Sequence, residues 1–193
     1  MERIHYLPFV GSAYEFGING KKVMALGYSI YGDKPQDVAA EALLNRVEWY
    51  LDDENVEFES WMNTYTNFIR ALSGAEISRG NSREWWNRIM FYSYVQEPLN
   101  GARQDPTDEQ LRNAVQPFQT VLQQYQPDVV LVWGKGLYEV TPTLNGHKGE
   151  PIDGNGTWIY NIGGKEIRLL EMTHPSAGYS WKYWHDVIQE LLK

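Results

Sequence analysis

The feature that most constrains this chain is Val129-Val130-Leu131-Val132-Trp133, an unbroken apolar run that follows Asp128 and stops at Gly134. A strand with one wet face would alternate apolar and polar residues. Five apolar residues in a row, three of them valine, instead predict a strand covered on both sides, as in a parallel sheet with helices on each face. A helix is predicted just before it. Thr107-Asp108-Glu109-Gln110 reads as a capping box. Leu111, Ala114, Val115, Phe118, Val121, Leu122 and Tyr125 then recur at helical spacing, with Pro117 as a potential kink.

The alternation extends along the chain. Val23 to Gly27 predicts a second buried strand, and Asp37 to Leu51 a helix with Val38, Ala42, Leu43, Val47, Tyr50 and Leu51 on one side. Ser60 to Leu72 predicts another helix, ended by Ser73-Gly74. Residues 78–82 read as a loop, with Ser82 capping a short helix that carries Trp85 and Trp86. Ile89 to Val95 reads as a strand followed by a loop marked by Pro98, Gly101 and Pro106. Residues 141–157 read as a long loop. Gly163-Gly164 turns a hairpin between Trp158–Ile162 and Lys165–Leu169, whose second arm runs on to His174. Ser180 caps a last helix with Trp181, Trp184, Val187, Ile188, Leu191 and Leu192. The pattern predicts an α/β fold: one three-layer α/β/α domain over residues 1–193 with a central, mostly parallel four-stranded sheet.

Composition narrows the chemistry. The 193 residues include no Cys, which excludes disulfides, thiol nucleophiles and Cys-ligated metal clusters. The four His show no metal-site spacing, so no metal and no cofactor is expected. A net charge of −8 argues against broad, salt-driven phosphate binding and makes a local basic groove necessary if DNA is the partner. No stretch reaches the ~18 apolar residues of a membrane span, and the start does not read as a signal peptide, so a soluble, cytoplasmic protein is expected. The 8 Trp and 13 Tyr serve equally well as core, as stacking platforms or as a partner surface.

Three predicted strands end in polar or glycine-bearing turns: Gly27-Tyr28-Ser29, Trp133-Gly134-Lys135 and Thr173-His174-Pro175. Ligands of open parallel sheets bind at the carboxyl ends of strands, so these turns predict one crevice. His174 is suited to donate a hydrogen bond to an oxygen that gains charge as a bond breaks. The bland alternative is a His satisfied by backbone at a loop start. Lys135, between two glycines, is placed either to meet a phosphate or to sit solvated at a strand end. Trp85-Trp86 read more readily as core than as stacking residues. Arg79, Arg83 and Arg88 read as a basic rim or a solvated face, and His185 as structural. His147 reaches a site only if its loop folds over it.

Four segments carry a family resemblance. Glu171-Met172-Thr173-His174-Pro175-Ser176 resembles the His-Pro-Ser motif that closes the uracil-DNA glycosylase superfamily, and Leu131-Val132-Trp133-Gly134 resembles its penultimate strand. Val23 to Gly27, followed by Tyr28-Ser29-Ile30-Tyr31-Gly32, falls where its first catalytic loop lies. Leu7-Pro8-Phe9-Val10-Gly11 resembles the entry segment of an uncharacterised, divergent branch. The resemblance implies a DNA-repair hydrolase that flips a nucleotide into a pocket and cleaves the N-glycosidic bond of uracil or another modified base.

Carried over residue by residue, the resemblance has His174 stabilise the departing base, while Gly27, Tyr28 and Tyr31 shape the pocket. Ser93 stands roughly where an Asn would read the base edge, and Ser176 and Tyr179 follow the His. The first loop holds Tyr28 and Ser29 where an acid is expected, and its nearest acid is Asp33, so Ser29 or Asp33 would assist water. Tyr179 replaces a wedging Leu or is a surface aromatic. The missing acid divides the implied function in two. One reading is a working glycosylase on DNA or a nucleobase; the other is an inactive module of the same fold that binds a nucleotide, nucleic acid or protein partner.

Overall fold

The computed structural model describes residues 4–30, 38–99, 101, 104–176 and 178–193. The strands are β1 (Phe9–Val10), β2 (Val23–Gly27), β3 (Ile89–Ser93), β4 (Val129–Trp133), β5 (His147–Lys148), β6 (Thr157–Ile162) and β7 (Lys165–Met172). The helices are α1 (Ala42–Leu51), α2 (Met62–Ser73), α3 (Arg83–Trp86), α4 (Asp108–Tyr125), α5 (Lys135–Val140) and α6 (Trp181–Leu191). Among the described residues the strands form one sheet in the order β1-β3-β2-β4-β7-β6-β5.

The four strands at its centre, β3-β2-β4-β7, are mutually parallel. The sheet is nevertheless seven-stranded, not four-stranded. β1 adds antiparallel to β3, and the β6–β7 hairpin carries β5 on its outer edge. β1 and β5 have two residues each, too few to show a hydrophobic period.

Every residue of β2, β3 and β4 is buried, because both faces are covered. Val23, Ala25, Ile89, Phe91, Val129, Leu131, Trp133, Leu170 and Met172 pack on one face with residues of α1, α2, α3 and α6. Met24, Leu26, Met90, Tyr92, Val130, Val132 and Leu169 pack on the other with α4, Leu137 of α5 and Tyr160 of β6. The period-two alternation of side chains along a strand produces this division.

Local signals act mostly as expected. The Thr107 capping box forms with Gln110, and Ser180 accepts from the Tyr183 amide. Pro117 is buried inside a continuous α4. Gly74 ends α2 at φ 69°, a left-handed conformation that glycine adopts without steric cost. Three expectations change. α1 begins at Ala42, after a stretch in which the Ala40 carbonyl accepts from the Leu7 amide. The Ser82 hydroxyl caps no helix; it donates to the Arg79 carbonyl. Lys135–Val140 coils into α5, which Gly134 and Gly136 concealed.

The connections create a crevice. The chain leaves β2 toward the face of α1, α2 and α3, and leaves β4 toward the opposite face through α5. Where neighbouring parallel strands send their connections to opposite faces, the carboxyl ends part and leave room for a ligand.

Candidate functional site

A cleft of about 870 Å³ opens at those carboxyl ends. The register brings its floor together: Gly27 pairs with Ser93, and Trp133 with Met172, two residues before His174. Among the described residues, Gly27, Tyr28, Ser29, Ser93, His174 and Ser176 all line it, so the three predicted turns converge. Tyr31 and Asp33 lie outside the described residues.

His174 is held by its own turn. Its Nδ1 accepts from the Ser176 amide at 3.2 Å and lies 2.8 Å from Ser176 Oγ. A backbone N–H only donates, so Nδ1 presents its lone pair and the ring proton resides on Nε2. Burial holds the imidazole below its ordinary value of 6.5, which keeps the ring neutral at pH 7. Nε2 has no hydrogen-bond partner among the described residues. The turn is anchored further: Asn67 of α2 donates to the Pro175 carbonyl at 3.0 Å, and the Gly134 amide donates to the Met172 carbonyl at 2.9 Å. Gly134 sits at φ 104°, a conformation open to glycine and strained for other residues.

Aromatic rings wall the cleft. The His174 ring meets the edge of Trp133 at 6.1 Å between centroids, and Trp133 lies 4.7 Å from Phe91. A Cβ on Gly27 would come within 3.1 Å of the Phe91 ring, so glycine lets that ring lie across β2. Two buried polar atoms at the floor, Ser93 Oγ and Trp133 Nε1, have no partner among the described residues. Tyr28 is half-buried; burial, then the charge of Asp105, pushes its hydroxyl above the ordinary value.

Other candidates lie elsewhere. Lys135 is exposed, 4.0 Å from Glu139 on α5, and is not among the described lining residues. Tyr179 stacks on Trp184 at 6.0 Å and 12°, and burial raises its hydroxyl; it too lies outside the described lining. Trp86 is wholly buried in the core. Arg79 is buried, with its guanidinium donating to the Asp52 and Val56 carbonyls. His185 Nδ1 lies 3.0 Å from the Ala71 carbonyl, and His147 is exposed on β5.

Sequence reasoning missed one wall and one flank. Arg46, Trp49, Trp61, Thr64 and Tyr65 of the α1 and α2 segments line the cleft, with Arg46 5.9 Å above the Trp61 ring. Trp61 and Tyr65 fall on a helical apolar stripe, where core and cleft positions look alike. Gln104 and Asp105 line it from the loop after β3. Apolar walls with a few convergent polar atoms suit a flat ring that is stacked and hydrogen-bonded at its edge. No group of three His, Asp or Glu among the described residues is arranged to hold a metal ion. No helix among them is long and apolar enough to cross a membrane. No protein-family model and no curated protein matches the chain.

Proposed function

We propose that this cleft receives a nucleobase, flipped from DNA or free, and hydrolyses its N-glycosidic bond, with uracil or another modified base as substrate. The observation that carries the reading is the His174 tautomer. As the bond from the sugar carbon to the base nitrogen breaks, the electron pair passes to the base and its carbonyl oxygen becomes anionic. A neutral imidazole fixed through Nδ1 meets that oxygen with Nε2–H and needs no reorganisation. The Ser93 hydroxyl and the Trp133 indole N–H at the floor gain partners from the edge of a bound ring. Phe91, Trp133 and Trp61 supply the apolar surface, and Arg46 a positive charge within an acidic protein. The test is incubation with uracil-, hypoxanthine- or xanthine-containing oligonucleotides, single- and double-stranded, at enzyme excess, followed by cleavage at abasic sites. His174→Ala should lose on the order of 10²–10³-fold in rate. A wild type no faster than this variant on every base would defeat the reading.

The uncharged pair Tyr28-Ser29 in the first loop favours a second reading, in which the fold binds a nucleotide, nucleic acid or protein partner without turnover. That reading expects nucleobases or oligonucleotides to raise Tm with no product formed.

A further inference from the structure

We propose that Asp105 is the carboxylate of this cleft and takes the proton from the water that attacks the sugar carbon; the inference rests on the reading of the cleft as an N-glycosidic hydrolase site. Asp105 is the one Asp or Glu among the described lining residues. It comes from the loop after β3, whereas His174 comes from the end of β7. β2 and β4 lie between those strands, and both residues line the one cleft.

The backbone explains why this carboxylate stands beside the first loop. Beyond β3 the chain continues alongside residues 27–30: the Tyr94, Val95 and Leu99 amides donate to the Gly27, Tyr28 and Ile30 carbonyls, each at 2.9 Å. Asp105 is then followed by Pro106, buried and restricted in φ, and by Thr107, the capping residue of α4. The influence of Asp105 on the Tyr28 hydroxyl agrees with this placement. An acid that the resemblance puts inside the first loop is thus supplied from the loop that runs beside it. Asp105 is exposed and has no hydrogen bond or ion pair among the described residues. Asp128, by contrast, is bonded to the Lys22 amide and paired with Lys165.

The step balances. Water oxygen bonds to the sugar carbon as the bond to the base nitrogen breaks, and the pair leaves with the base. The water proton goes to Asp105, and the base anion is held by Nε2–H of His174. The proton then passes from Asp105 through solvent to the base, which restores the carboxylate.

The experiment compares wild type with Asp105→Asn, Asp105→Ala and His174→Ala. It uses single-turnover assays on the same uracil-, hypoxanthine- and xanthine-containing oligonucleotides, with affinity measured in parallel. Asp105→Asn should lose on the order of 10²–10⁴-fold in rate, with oligonucleotide affinity within about twofold of wild type. Added formate should restore part of the Asp105→Ala rate, which a structural role would not allow. If Asp105→Asn matches wild type while His174→Ala is inactive, the assignment of Asp105 falls and the hydrolase reading survives. A wild type without turnover removes both.

Discussion

The two ends of the parallel strands are built on opposite principles. At the amino ends, the Asp128 carboxylate accepts from the Lys22 amide at 2.6 Å and pairs with Lys165 at 3.0 Å. The Asp128 amide returns a bond to the Lys22 carbonyl, and the Arg168 amide donates to the Asp128 carbonyl. One residue thereby joins β2, β4 and β7. At the carboxyl ends, Ser93 Oγ and Trp133 Nε1 are buried with no partner among the described residues. A buried polar atom left unpaired costs about 1–3 kcal/mol. The fold therefore locks the sheet at one end and leaves bonding capacity unused at the other, where a ligand can take it up.

Four substitutions test this contrast, in falling order of effect. His174→Ala should abolish most turnover, on the order of 10²–10³-fold in the oligonucleotide assay, with Tm nearly unchanged; a large fall in Tm would make His174 a structural residue instead. Gly134→Ala forces a side chain into φ 104° beside His174. It should cost about 1–3 kcal/mol in urea unfolding, with a loss of rate as the turn shifts. Asp128→Ala frees the Lys22 amide and Lys165. It should cost about 1–2 kcal/mol, roughly 3–8 °C in Tm, at unchanged turnover; an equal loss of activity would erase the division between the ends. Ser93→Ala removes an unpaired buried hydroxyl. It should raise stability by up to about 1 kcal/mol while weakening ligand binding.

Acid should separate the ends as well. The folded value of His174 is depressed, so the stability gained by keeping it neutral is complete above pH 6.5 and fades as pH falls toward the folded value. Partial burial alone would raise the Asp128 carboxyl, but the Lys22 amide and Lys165 hold it below 3.8. Its contribution is complete above that value and is lost only below it. The carboxyl end should therefore weaken first. NMR titration of the His174 ring should give a midpoint under 6.5, and a midpoint above it would indicate that the ring is charged and the tautomer argument misplaced.

The parallel core was legible because burial on both faces leaves an unmistakable mark, as in Val129–Trp133. The capping box before α4 was equally plain, since one side chain and one amide determine it. β1 and β5 were not legible, because two residues carry no period. α5 was hidden by Gly134 and Gly136, and Ser82 looked like a cap until the Arg79 carbonyl took its hydroxyl.

The site divides in the same way. His174, Ser93 and the Gly27-Tyr28-Ser29 turn could be located from strand ends and a motif. Arg46, Trp61 and Asp105 could not, because helical spacing tells a side chain's face but not what lies opposite it. Residue order was enough to mark the segments buried on both sides, the turns, and a His at a strand end. The tertiary structure alone decided which turns meet, which polar atoms remain unpaired, and that a carboxylate from the loop after β3 lines the same cleft as that His. Those are relations between residues far apart in the chain, and only strand order and register bring them together.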